Sequence, residues 1–178
     1  MASASGDLDL TMDELRAVVR FAADSAQTVL GVYEADVPDD SRPREALAAA
    51  CAFAAGAPRT NLQRTAAAAA HRATKSAPFR TAQLAARACG DAAAAAYLHP
   101  IAKATQVRHI LGAATCALLI AELKAGDDER SGEARISALA RRAVSPLPDI
   151  LRRYPSAPQG QSRLSQLMSV LDVAVRNR

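Results

Sequence analysis

Tryptophan is absent from this sequence, and aromatic residues of every kind make up 3% of its 178 positions. A surface that stacks on nucleic-acid bases therefore has little to be built from. Lysine is nearly missing too: three residues against nineteen arginines, which fits a GC-rich bacterial genome. The basic residues are spaced singly, and no known DNA- or RNA-binding module is visible, so nucleic acid is not an expected partner. The three cysteines, Cys51, Cys89 and Cys116, lie far apart in Ala-rich stretches. No CxxC or Cys/His ligand spacing exists, so no metal site is expected, and all three read as buried, reduced thiols. Uninterrupted apolar runs of the roughly 18 residues needed to span a bilayer are also lacking. The opening MASASGDLDL has neither the basic start nor the apolar run of a secretion signal. The expected location is the cytoplasm, with no membrane contact. GxSxG, HExxH, P-loop, dinucleotide and di-iron Glu-x-x-His patterns are all missing. No residue is assigned a catalytic role, and no cofactor is expected.

What the chain has in quantity is alanine, 44 residues. Alanine loses no side-chain entropy on entering a helix and lets helix axes approach closely. Helical spacing of apolar residues runs through most of the sequence, and sustained period-2 alternation occurs nowhere. The fold class is all-α: a compact Ala-rich bundle or a short stack of helical hairpins, with about seven helices. Residues 1–10 read as a disordered lead-in and 11–178 as a single helical domain. "TMDE" forms a capping box that starts a first helix at Thr11, and its stripe continues to Tyr33. A second helix enters through Ser41, Arg42 and Pro43 and stops at Gly56, a natural residue just past a helix end. Further helices cover Asn61 to Lys75, "FRTAQLAARACGDAAAAAYL", Ile101 to Lys124, Glu133 to Val144, and "QSRLSQLMSVLDVAVRN". Pro100 breaks the chain at His99. "AGDDERSG" reads as a turn, and "SPLPDILRRYPSAPQG" as a connector with one helical turn.

Charge is distributed unevenly. Residues 1–40 hold nine acids and two bases, residues 41–125 three acids and eleven bases, and residues 126–178 six and nine. The acidic start and basic middle can neutralise one another within the chain or across a homodimer. Alternatively, the basic middle receives an acidic partner or a phosphate.

The densest polar stretch is "HPIAKATQVRH", residues 99–109. On a helix running from Ile101, Lys103 and Gln106 share a face, while His99 sits at the break and Arg108 and His109 follow. Asp91, an acid amid alanines, needs a partner if buried; His99, Lys103, Arg87 and Arg108 are the candidates. Arg42 and Arg44 place positive charge at a helix N-terminus, which already favours anions. If the two regions meet, Arg42, Arg44, Asp91, His99, Lys103, Gln106, Arg108 and His109 form an anion-accepting pocket. If they line a broad face, they contact a protein.

Two segments carry a family resemblance: "DDSRPREALAAACAFAAGAPRTNLQRTAAAAAHRATKSA", with its Arg42-Pro43-Arg44 entry, and "AYLHPIAKATQVRHILGAA". They resemble the bacterial putative immunity protein family, small helical proteins assigned as partners of secreted toxins, over about residues 36–125. Residues 126–178 then read as a C-terminal helical extension. The resemblance implies a binding module that neutralises or sequesters a partner protein such as a toxin. The residues themselves leave a second reading open: a helical domain, even an enzyme, that binds a small anionic ligand at the break around His99–His109.

Overall fold

The computed structural model describes residues 8–125 and 129–178, with side chains from 132 onward in the second stretch. Among the described residues there are nine α-helices and no β-strand: α1 Met12–Gln27, α2 Leu30–Asp36, α3 Arg42–Ala54, α4 Asn61–Ala73, α5 Arg80–Ala94, α6 Val107–Ala125, α7 Glu129–Arg142, α8 Leu147–Arg153 and α9 Arg163–Arg176. The all-α expectation holds, but nine helices replace about seven. Single-turn 3₁₀ segments follow α4 and α5 and precede α6.

The differences have local causes. The Thr11 capping box is present, with the Thr11 hydroxyl accepting the Glu14 N–H and the Glu14 carboxylate accepting the Thr11 N–H. The helix it starts does not reach Tyr33, however. Ser25 Oγ donates to the Phe21 carbonyl at 2.8 Å and Thr28 Oγ1 to the Ser25 carbonyl at 2.7 Å. Hydroxyls bonded back in this way compete with the helical ladder and bend it. The chain breaks there, and α2 carries Tyr33 into the core. Gly56, at φ 114°, ends α3 as expected. The connector after α7 holds a full helix, α8, whose Leu147, Ile150 and Leu151 are buried. α7 begins at Glu129, so "ERSG" is helical; residues 126–128 of the expected turn lie outside the described residues. Residues 1–7 of the expected lead-in do so too. Within residues 8–10, Leu8 and Leu10 pack against the core, and the Leu8 N–H donates to the Pro100 carbonyl at 2.6 Å.

α5 lies at the centre, packed against α1, α2, α3, α4 and α6. A helix covered on so many sides favours small residues, and its buried positions are mostly alanine, with Leu84, Cys89, Gly90 and Asp91. α6 packs against α1, α5, α7 and α9. Residues 104–125 are long and apolar enough to cross a membrane by composition, which the sequence reading did not expect, but 67% of that window is buried inside the protein. α7 and α8 both pack on α9, and α8 also touches α1.

Cys89 and Cys116 are buried in this core, and burial pushes both thiols up to about 12. Cys51 corrects the expectation, because it is exposed. The buried stripe of α3 runs through Ala46, Leu47, Ala50, Phe53 and Ala54. Phe53 turns the helix so that Cys51 falls outside.

Candidate functional site

The chain between α5 and α6 settles how the polar stretch is displayed. Residues 99–103 are not helical, and the helix expected from Ile101 begins at Val107. The carbonyls that would open such a helix are taken by other partners: that of Pro100 accepts the Leu8 N–H at 2.6 Å and that of Ile101 the Lys103 N–H at 2.7 Å. His99 just before them is fixed as well. Gln106 Oε1 accepts the His99 N–H at 3.0 Å, and the Tyr154 hydroxyl donates to the His99 carbonyl at 3.0 Å. Backbone groups satisfied in this way have no need of the ladder. Lys103 is consequently extended and exposed, while Gln106 is buried within a 3₁₀ turn. The two do not share a helical face. His99 is also exposed.

Beside this break lies a cavity of about 470 Å³. α5 contributes Arg87 to it, the 3₁₀ turn Thr105 and Gln106, and the first turn of α6 Arg108 and His109. The opposite wall is Pro158 with Leu164, Ser165 and Met168 of α9. That wall is held in place by Asp172, a buried acid of α9. Its carboxylate accepts the Ala157 N–H at 3.0 Å and Arg176 Nε at 2.8 Å.

Asp91 stands next to the cavity, 94% buried, since its relative exposure is 6%. Its main partner, His71 of α4, was not among the sequence candidates. His71 Nε2 lies 3.0 Å from Asp91 Oδ1. As a carboxylate can only accept, the histidine proton sits on that nitrogen. Arg87 Nε stands 3.6 Å from Oδ2, as one candidate pairing foresaw, but Oδ2 itself has no hydrogen bond. Two glycines make room for this cluster. A Cβ at Gly90 would lie 2.4 Å from the His71 ring, and one at Gly112 would lie 2.8 Å from Asp91 Oδ2 and 3.4 Å from Arg108 Cγ. The sequence signal that could have found His71 is this glycine, one residue before the lone acid, which lets α4 and α5 come close. Spacing along the chain gave no hint of it.

His109 is half-buried. Burial lowers its pKa first and the neighbouring Arg108 charge lowers it further. It is a neutral wall of the cavity at pH 7. No His/Cys/Asp/Glu group with metal-binding arrangement occurs among the described residues.

Arg42 and Arg44 are a different matter. Arg42 holds Asp40 through Nε at 2.8 Å and Nη2 at 2.5 Å, and it also reaches Ser76 Oγ. Tyr33 donates its hydroxyl to the same carboxylate at 2.6 Å. The hydrogen bonds from Arg42 hold the Asp40 carboxyl far below the ordinary carboxylate range. Arg44 clasps Glu34 at 2.7 and 2.8 Å. Both positive charges at the start of α3 are thus neutralised by acids of the N-terminal segment. The expected anion pocket that included them is corrected: Gln106, Arg108 and His109 converge on a cavity, Asp91 backs it, and Arg42, Arg44, His99 and Lys103 take no part in its walls.

No curated protein and no solved structure matches the chain. The family described as Imm-5 like putative immunity protein matches residues 9–144. The match begins within the segment before α1, well ahead of residue 36, and stops before α8. The cavity walls from α5 and α6 lie inside it, and the α9 wall lies outside. The chain belongs to the Imm-5 like putative immunity protein family.

Proposed function

We propose that this protein is an immunity-type module that binds a partner protein, a toxin, and holds it inactive. Family membership over residues 9–144 is the observation that carries the reading. The charge distribution favours a partner with acidic groups. Among the described residues, Arg80, Lys103 and Arg108 have no carboxylate within ion-pair distance, whereas Arg42, Arg44 and Arg153 are paired with Asp40, Glu34 and Glu14. Arg59, Arg64, Arg72 and Lys75 are likewise without an ion-pair partner among the described residues, so the uncompensated charge runs along α4 and around the N-terminal ends of α5 and α6. A partner that presents acidic groups there gains association rate and register from complementary charge.

The test is capture from the native host with this chain as bait, followed by mass spectrometry. The captured protein is then expressed with and without the bait. The proposal expects the protein to arrest growth alone and to be silent when the bait is present. Growth arrest unrelieved by the bait would overturn it.

A further inference from the structure

The cavity between α5, α6 and α9 has the chemistry of a site, not of a packing gap. One side is cationic: the guanidinium groups of Arg87 and Arg108. The other is mostly apolar, formed by Pro158, Leu164 and Met168 with Ser165 among them. Between the two sides of the cavity lie Thr105 and Gln106 of the 3₁₀ turn that runs into α6, with His109 of its first turn. Its volume of about 470 Å³ falls in the range of ligand clefts.

The charges around it select among anions. Asp91 lies behind Arg87, is nine-tenths buried, and is held by His71 on Oδ1 while Oδ2 remains without a hydrogen bond. Its Oδ2 stands 3.6 Å from Arg87 Nε and offsets part of the guanidinium charge. His109 adds no charge at neutral pH, because burial and Arg108 both disfavour its protonated form. With Asp91 beside Arg87 the cationic side is partly offset, which favours a singly charged carboxylate over a phosphate dianion. The apolar wall suits a carboxylate carried on methylene groups, and guanidinium binds carboxylate through two parallel hydrogen bonds.

We infer that this cavity is a carboxylate-binding site, filled by an acidic side chain of the partner protein inserted between Arg87 and Arg108 on one side and Leu164 and Met168 on the other. The inference rests on the protein-binding reading above and deepens it. Asp91 and His71 are positioning residues in this account: they act through Arg87 and do not touch the incoming group.

The chain has three histidines, so imidazole NMR resolves His109 from His71 and His99. Butyrate serves as the probe for a glutamate side chain, with inorganic phosphate as the competing chemistry. Butyrate is expected to move the His109 resonances saturably, with His99 unmoved and phosphate binding more weakly. Arg108→Gln, an exposed change that leaves the fold intact, is expected to weaken butyrate at least about tenfold, the worth of one charge-assisted bond. Arg87→Lys, which keeps the charge facing Asp91 but loses the planar fork, is expected to weaken it as well. With the captured partner, butyrate is expected to compete, and Arg108→Gln to reduce affinity by a similar factor. Phosphate binding tighter than butyrate, or butyrate binding indifferent to Arg108→Gln, would overturn the site. A partner that binds unaffected by butyrate and by Arg108→Gln would overturn the inserted side chain while leaving the protein-binding reading intact. Tight binding of a free carboxylate together with failure of the bait to silence any partner would overturn both the inserted side chain and that reading.

Discussion

The start of α3 holds two arginines, Arg42 and Arg44, and the start of α6 holds Arg108 beside Arg87 of α5, yet the two places differ in what their neighbours do with the charge. At α3, each guanidinium has an acid from the N-terminal segment as a close partner: Arg42 with Asp40, Arg44 with Glu34. At α6 the nearby acid, Asp91, is buried behind the wall and is already held by His71, and Arg108 has no carboxylate partner among the described residues. The first arrangement is a clasp that locks α2, α3 and the turn after α4. The second leaves cationic groups beside open volume. A count of basic residues treats the two alike, and only the position of the counter-ion separates them.

Acid should separate them as well, and with the largest effect. Hydrogen bonds from Arg153 pull Glu14 down to about 2, those from Arg42 lower Asp40 further still, and those from Arg163 lower Glu122. A carboxylate with a depressed folded pKa contributes stability that is complete above its ordinary value, near about 4.3, and is lost as pH falls toward the folded value. Thermal melting followed from pH 7 to pH 2 is therefore expected to fall steeply below about pH 4.5. His109 works at higher pH. Its lowered pKa favours the neutral form in the fold, so its contribution is lost as pH drops below the ordinary histidine value near about 6.5. Its Nε2 and Nδ1 signals should report that shallow step alone, with the α3 clasp untouched. A single steep loss centred on pH 6 would contradict this order.

Next come the glycines behind the cavity. Gly90→Ala must push the His71 ring away, and Gly112→Ala must displace Asp91 or Arg108. Each is expected to cost about 1–3 kcal/mol in urea unfolding, the range for overpacking a close contact or losing a buried acceptor's bond. Unchanged stability in both would mean that the α4–α5 approach is looser than described. At the α3 end, Tyr33→Phe removes the hydroxyl shared by Asp40 and the Ala73 carbonyl and is expected to cost about 1 kcal/mol, with no effect on partner binding.

The all-helical class, the Thr11 cap, the Gly56 stop and the break at Pro100 were legible in the sequence because each rests on residues within a few positions of one another. The charge map allowed the acidic start to pair with the basic middle, as Asp40–Arg42 and Glu34–Arg44 do, but it left the alternative open and named no pair. What could not be read was which distant group would meet which. His71 and Asp91 are twenty residues apart and meet only because Gly90 lets α4 and α5 close up. Arg42 and Arg44 looked available because Asp40 and Glu34 precede them as loop and helix residues with no visible geometry. Leu164, Ser165 and Met168 gave no sign of forming a wall; α9 read simply as an amphipathic helix. Cys51 was misplaced by a single position of helical phase.

Thiol chemistry checks that phase. One cysteine is expected to label in the native protein and two only on denaturation. Burial and the Asp24 charge both raise the Cys51 pKa, so it should react more slowly than a free thiol. Three unreactive native thiols would put Cys51 back in the core. The smallest effects belong to the exposed residues of the break. His99→Ala and Lys103→Ala are each expected to change stability by less than about 0.5 kcal/mol, since the interactions at this point are made by the His99 backbone and not its ring.

The central claim is that the partner is held at the α5–α6–α9 cavity and not at the start of α3. Calorimetric titration of the captured partner into the wild type, Arg108→Gln and Arg44→Gln compares the two ends directly, with melting curves confirming that all three are folded. The account predicts at least about a tenfold loss of affinity for Arg108→Gln and none for Arg44→Gln. Loss confined to Arg44→Gln, with Arg108→Gln binding as the wild type, would contradict it.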